Sequence, residues 1–394
     1  MIEHVLELAG RRLKPIVQGG MGVGVSAHRL AGAVAAENAV GTVASVDLRH
    51  HHPDLLDATH RCRDPQKIAA ANLTALDREI RAAKQQAAGQ GMVAVNVMKA
   101  VAEHPNLVRQ ACESGVDAVV MGAGLPLDLP EMTADYPRVA LIPILSDARG
   151  IALVVKKWLR KGRLPDAIVI EHPAHAGGHL GASRIDELRD GRFEFGRVLT
   201  EVRSFFAELA LAKDAPKLIV AGGIDSHAKV QHWLNHGADA VQLGTAFAVT
   251  REGDAHPEFK RVLAEASPEQ LVEFTSVAGL PARAVLTPWL RNYLKRESSL
   301  QAASKADPRR CTQRLDCLSQ CGLRDGIARI GQFCIDLKLA AALRGEVDKG
   351  LFFRGASRLP FGQAIRPVRE LLEYLMSGTM PADLATMESG CTGT

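Results

Sequence analysis

The hydrophobic pattern repeats one theme over the first 250 residues. A short apolar run rich in β-branched residues leads to a turn, then to an Ala-rich stretch with helical spacing, then to another short run. These runs fall at 15–18, 40–46, 92–97, 117–121, 139–145, 166–171, 217–221 and 239–243. They scarcely alternate between apolar and polar, the pattern of strands buried on both faces. The spacing between them predicts helices at 27–38, 65–88, 106–114, 151–161, 198–211 and 228–236, and is weakest between the fourth and fifth runs. Alternating strands and helices build a parallel α/β sheet. Eight strands in about 250 residues is the size of a closed (β/α)8 TIM barrel. Two phrases, ACESGVDAVVM and WLNHGADAVQL, strengthen the expectation, each running from a helix end through a glycine stop to Asp-Ala and a strand.

The pattern changes after residue 255. Residues 256–300 read as helical but less regular, 301–314 as a polar, exposed loop, and the following stretch carries cysteines as far as Cys334. Residues 365–376 are amphipathic, with Val368, Leu371, Leu372 and Leu375 at helical spacing. The expected organisation is a barrel over 1–255, an additional, mainly helical lid or insertion over 256–354, and 355–394 as a helix returning to the barrel with a tail.

Composition narrows the function. A net charge of +4 with 4% aromatic residues does not describe a nucleic-acid binder, but it suits an anionic small molecule. No apolar run approaches the ~18 residues that span a bilayer, and MIEHVLELAGRRLKP lacks the continuous apolar core of a signal peptide. No membrane association and a cytoplasmic location are therefore expected. Seven cysteines, an odd number in a long chain, argue against a disulfide framework. Nothing in the pattern speaks to the oligomeric state.

In a barrel, residues just after the strands form the active site. QGGMGVG at 18–24 follows the first strand. Its Gly20, Gly22 and Gly24 give GxGxG rather than the GxGxxG of a dinucleotide fold, and that reading leaves the later repeats unexplained, although Asp47 ends the next strand. After strands seven and eight, Gly222, Gly223, Gly244 and Thr245 offer backbone donors and a hydroxyl where barrels often bind phosphate. After strand six, residues 171–181 hold Glu171, His172, His175 and His179 beside Gly177 and Gly178. A histidine at the barrel mouth can give or take a proton, which makes His179 the catalytic candidate. Alternatively, His172, His175 and His179 could be zinc ligands of a barrel hydrolase, although Pro173 and the glycines argue against the helix that would align them. Residues 49–52, Arg-His-His-His, read as a solvated loop in preference to a metal site.

Six motifs in this order, each at a strand end, resemble the nitronate monooxygenase family. They are PIVQGGMG at 15–22, VNVM at 95–98, MGAGLP at 121–126, HAGGHLG at 175–181, AGGI at 221–224 and QLGTAF at 242–247. They are also similar to those of its flavin relatives, the NAD(P)H:quinone reductases and flavin-type enoyl-acyl-carrier-protein reductases. The resemblance implies FMN across the barrel mouth. Gln18, Gly20, Met21 and Gly22 would lie by the ring, Asn96 and Glu171 would make polar contacts, and Gly177, Gly178, Gly222, Gly223, Gly244 and Thr245 would gather around the phosphate end. His179 would be the active-site histidine. The implied reaction turns an alkyl nitronate, a small-molecule substrate, into a carbonyl compound and nitrite with O2; the alternative is NAD(P)H-dependent reduction of a quinone or enoyl thioester. Two departures stand out: His172-Pro173, where many members have glycine after the acid, and a longer segment at 301–350.

That segment holds Cys311, Cys317, Cys321 and Cys334 in a C-x5-C-x3-C-x12-C spacing. Four thiolates could hold zinc or an iron–sulfur cluster, but the spacing matches no common signature, and partly buried thiols in a reducing compartment are the simpler expectation. A cluster beside FMN would favour the reductase; a non-enzymatic cluster-binding module is a further reading.

Overall fold

The computed structural model describes residues 2–62, 64–211, 214–311 and 317–384, so the expected tail beyond 384 lies outside the described residues. An N-terminal hairpin is formed by β1 (Leu6–Leu8) and β2 (Arg11–Leu13). Barrel strands one to six are β3 (Ile16–Gln18), β4 (Val40–Ala44), β5 (Met92–Met98), β6 (Ala118–Gly122), β7 (Ala140–Leu145) and β8 (Ala167–Glu171). A two-residue strand, β9 (Gly178–His179), stands outside the ring, and β10 (Lys217–Ala221) and β11 (Ala240–Leu243) complete it. A second hairpin follows as β12 (Leu271–Thr275) and β13 (Pro281–Val285). The eight barrel strands are parallel and closed, with β11 returning to β3 at Val241 opposite Ile16. This is the (β/α)8 TIM barrel expected from the repeat.

The Asp-Ala phrases have a physical role. Asp117 accepts the backbone N–H of Val93 at 2.8 Å, Asp166 that of Leu141 at 2.7 Å, and Asp239 that of Leu218 at 2.8 Å. In each case the aspartate entering one strand satisfies a donor at the start of the neighbouring strand, where the ladder has not yet begun. Gln18 does related work between the first two barrel strands, which pair only at Val17 and Val40 among the described residues. Its side chain accepts from the Thr42 N–H at 2.8 Å and donates to the Thr42 carbonyl at 3.2 Å, standing in for a ladder rung.

The barrel interior is packed with Val17, Ala94, Val120, Ile142, Val169 and Ile219, joined by Leu6, Leu8 and Leu13 of the hairpin. The hairpin turns tightly at Ala9 and Gly10, both at positive φ (47° and 76°), as two-residue hairpin turns require. Its leucines pack with residues from the beginnings of the strands, so the N-terminal end is plugged and open space collects at the other end. The amphipathic helix Val368–Ser377 buries Val368, Leu371, Leu372 and Leu375 against helices His28–Ala36 and His227–Asn235. It occupies the place left by the short helix Thr245–Ala248 after β11.

Residues 256–300 differ from their helical reading. Helices Pro257–Glu265 and Pro288–Ala302 flank the β12–β13 hairpin, which turns at Gly279 with φ +78°. Five-residue strands are too short to stand out beside long helices in a periodicity reading. The hairpin reaches back to the barrel, where Ala282 pairs with His179 and Arg283 with Gly178.

Candidate active site

One cavity of about 590 Å³ opens over the C-terminal ends of the strands. Gly20, Met21, Gly22, Asn96, Glu171, Gly177, Gly178, His179, Gly222, Gly223, Gly244 and Thr245 all line it. Gln18 does not; its amide is committed to Thr42, and it holds the turn that carries Gly20. The chain segment after the barrel supplies the opposite wall, including Asp336, Leu339, Phe353, Arg354 and Gly355.

Local backbone explains the glycines. A Cβ on Gly20 would strike the Asn96 side chain, so the first turn can lie flat against β5 only without one. Gly222 and Gly223 follow β10 at φ +99° and +82°, in the left-handed region. The N–H groups of Gly223, Gly244 and Thr245 meet no protein acceptor among the described residues, which leaves three donors at one end of the cavity.

His179 is held by β13 and by the Phe353 ring, 5.6 Å away between centroids. Its Nε2 is buried without a hydrogen-bond partner. Burial disfavours the imidazolium and lowers its pKa to about 4. Burial acts on Glu171 in the opposite direction, raising its pKa to about 7. Between those values the cavity receives no charge from either group.

Arg354, invisible to the motif reading, is 5% exposed. Its Nε donates to the Leu263 carbonyl at 2.8 Å and its Nη1 to the Gly355 carbonyl at 3.1 Å. Among the described residues no carboxylate pairs with it, and burial lowers its pKa. The Gly355 N–H donates to Thr245 Oγ1 at 3.0 Å, which places Arg354 beside the glycine-rich turn after β11. A buried guanidinium lacking a counter-charge costs several kcal/mol, so this end of the cavity fits an anion. The available signal was an arginine within the apolar run LFFRG at 351–355.

The other candidates are placed differently. His172 is 3% exposed, stands edge-on to Phe195 and does not line the cavity, so the His172-Pro173 departure changes the packing behind the wall. His175 does line it, but His172, His175 and His179 do not bring three ring nitrogens within 4.8 Å, the gathering that a shared zinc ion needs. Nor do any three sulfurs of Cys311, Cys317, Cys321 and Cys334 lie that close; of the four, Cys317 alone reaches the cavity. Residues 49–52 are not a solvated loop. Arg49 is 3% exposed and grips Asp47 through two nitrogens, at 2.6 and 2.9 Å, while His51 bonds to the Gly24 carbonyl and His52 faces Glu79. Ion pairing draws the segment inward.

Comparison with known proteins agrees with this geometry. Residues 9–378 match the family described as nitronate monooxygenase. A probable nitronate monooxygenase of Bacillus subtilis (strain 168) is 27% identical over 287 residues, covering 70% of this chain and 78% of the relative. A putative nitronate monooxygenase of Saccharomyces cerevisiae is 30% identical over 125 residues, 30% of each chain. FabK from Thermotoga maritima shares the fold with a TM-score of 0.62 at 20% identity, covering 98% of this chain and 96% of its own. A nitroalkane oxidase from Streptomyces ansochromogenes does so at 0.57 and 20%, covering 96% and 97%. The class is thus a flavin-dependent oxidoreductase built on a β/α barrel. Within it, the chain belongs to the nitronate monooxygenase family.

Proposed function

We propose that this chain is an FMN-dependent nitronate monooxygenase that converts alkyl nitronates and O2 into carbonyl compounds and nitrite. The observation carrying this reading is one cavity with a half-buried imidazole at His179, its Nε2 buried and unpartnered, and, in its wall, the carboxylate-free guanidinium of Arg354. Its volume of about 590 Å³ falls within the usual range of small-molecule sites, about 300–1,000 Å³. In this reading Gly20, Met21 and Gly22 support the flavin ring, and Asn96 and Glu171 make polar contacts with it. Gly177, Gly178, Gly222, Gly223, Gly244, Thr245 and Arg354 hold the phosphate end. Residues 1–255 carry the cofactor, 256–354 roof it, and the final helix returns to the barrel. FMN, when bound, supplies the electron acceptor and the reactivity toward O2.

The remaining work belongs to the chain. His179 is a neutral imidazole at working pH, so with Nε2 protonated it can hydrogen-bond an oxygen of the nitronate, and with Nε2 free it can take the α-proton of the parent nitroalkane. The surrounding apolar wall, with Leu339 and Phe353, keeps water from that step. Glu171 holds its proton up to about pH 7, which spares an anionic nitronate the repulsion of a carboxylate.

The test is an absorbance spectrum of the purified protein, followed by anaerobic addition of an alkyl nitronate and, separately, of NADPH. Flavin bands that bleach with the nitronate and not with NADPH support the proposal. Rapid bleaching by NADPH replaces it with an NAD(P)H-dependent reductase. A colourless protein that takes up no FMN overturns both.

A further inference from the structure

The cavity's chemistry leaves one buried cluster unused. Asp47 follows β4 in a left-handed conformation, with φ 43°. It shares a pocket with His50, three residues on, and with Asp336 in the first turn of helix Ile335–Leu343. One oxygen from each aspartate and one ring nitrogen of His50 lie within 4.8 Å of one another. The Asp47 side chain is fully buried, and Asp336 is 2% exposed.

Hydrogen bonding does not account for this group. Both carboxylate oxygens of Asp336 and both ring nitrogens of His50 are buried without a hydrogen-bond partner. His50 Nε2 sits 3.3 Å from Asp47 Oδ2, outside hydrogen-bond geometry. Arg49 compensates Asp47, shares its Nε–H between Asp47 and Asn72, and donates from Nη1 to Thr59, with no bond to Asp336. Asp336 is then left with no donor while facing a second carboxylate. Two buried carboxylates at that range must share a proton or hold a cation. A shared proton would serve the oxygens and leave the imidazole unpaired. A cation serves all three groups at once.

We propose that Asp47, His50 and Asp336 form a binding site for one divalent first-row transition-metal ion, and that this ion ties helix Ile335–Leu343 to the barrel. Two carboxylates and one imidazole, with no thiolate, are a donor set for Mn²⁺, Fe²⁺ or Zn²⁺. A separate cavity of about 30 Å³, bordered by Ser45, Asp47, Asn72 and Cys317, has room for a water as an additional ligand. The site is structural. Ile335, Asp336, Leu339 and Ala342 line the main cavity, so the ion fixes one wall of the active site from outside it.

The test uses the full flavin-loaded chain, free of any polyhistidine tag. Metal content is measured by mass spectrometry before and after chelation, and thermal melting is followed as Mn²⁺ or Zn²⁺ is restored. About one equivalent per chain is expected, with a rise of about 4 °C in Tm at a hundredfold excess over Kd. Asp336→Asn and His50→Gln should each lose the ion and the Tm response, while Cys317→Ser with Cys321→Ser keeps both. A native chain that holds no stoichiometric ion and melts unchanged with added Mn²⁺ or Zn²⁺ overturns the proposal without relying on a variant. Loss of the ion in the cysteine variant alone assigns it to the thiols and overturns it equally.

Discussion

Two sets of ionisable groups stand at the same end of the barrel, and Asp47 in one is held in the opposite way from Glu171 in the other. In the main cavity, burial alone moves Glu171 up to about 7 and His179 down to about 4. Behind β4, burial pushes Asp47 up too, but the His50 imidazole 3.3 Å away and the hydrogen-bonded Arg49 guanidinium outweigh it and hold the carboxyl well below its usual range. The difference separates two uses of buried polarity. A group shifted by desolvation alone has no internal partner and is ready for an external one. Asp47, shifted by its neighbours, is already committed to structure, whereas Asp336 beside it is pushed up by burial and has no donor.

The strongest way to break this contrast is His179→Ala. If the imidazole meets substrate, turnover of an alkyl nitronate should fall about a hundredfold or more while the flavin spectrum persists. If His179 matters only through its packing on Phe353, melting will change and turnover will not, because alanine keeps the β9–β13 backbone bonds. The next effect is at Arg354→Met. Losing a charge-assisted contact should weaken FMN binding about tenfold to a hundredfold, measured by titrating the apoprotein. The same change should leave the FMN-free protein as stable as before or more so, since an uncompensated buried charge is gone. Weaker FMN binding together with a destabilised apoprotein would return Arg354 to a purely structural role. Gly223→Val approaches that cofactor end from the backbone, since a side chain there needs φ +82° and meets the His175 ring at 3.2 Å. Flavin should be released, and full retention would move the phosphate site elsewhere.

The barrel was legible because its signal is periodic and local. All eight strands fall within two residues of their apolar runs, and Asp-Ala marks strand entry because the aspartate caps a neighbouring N–H. The glycine turns were legible for the same reason, since positive φ at Gly222 and Gly223 selects the residue type. What escaped depends on distance along the chain. Arg354 meets Thr245 through Gly355 across 110 positions. Asp336 joins Asp47 only because the segment after the barrel folds back, and neither aspartate belongs to a motif of its own. The family resemblance puts Gln18 by the flavin ring, and nothing in its glycine-rich run announces the missing rungs between β3 and β4.

The smallest expected effect lies at Glu171 and follows from the direction of its shift. Its folded pKa, about 7, stands above the ordinary 4.5, so the folded chain keeps a proton that the unfolded chain has released. The protonated group's contribution to stability is therefore complete below the ordinary value and is lost as pH rises toward 7. Glu171→Gln keeps the shape and removes the titration. In the FMN-free protein the variant should melt with the native chain near about pH 4 and a few degrees above it near about pH 8. The catalytic counterpart is a decline in kcat/KM for an anionic nitronate as pH rises through about 7, absent from the glutamine variant. Both readouts are needed, because a group buried only for packing would move the melting curve alone. A native profile that stays flat through that range, with the melting difference intact, would place Glu171 outside the path of the anion and leave His179 as the one unpartnered group that meets substrate.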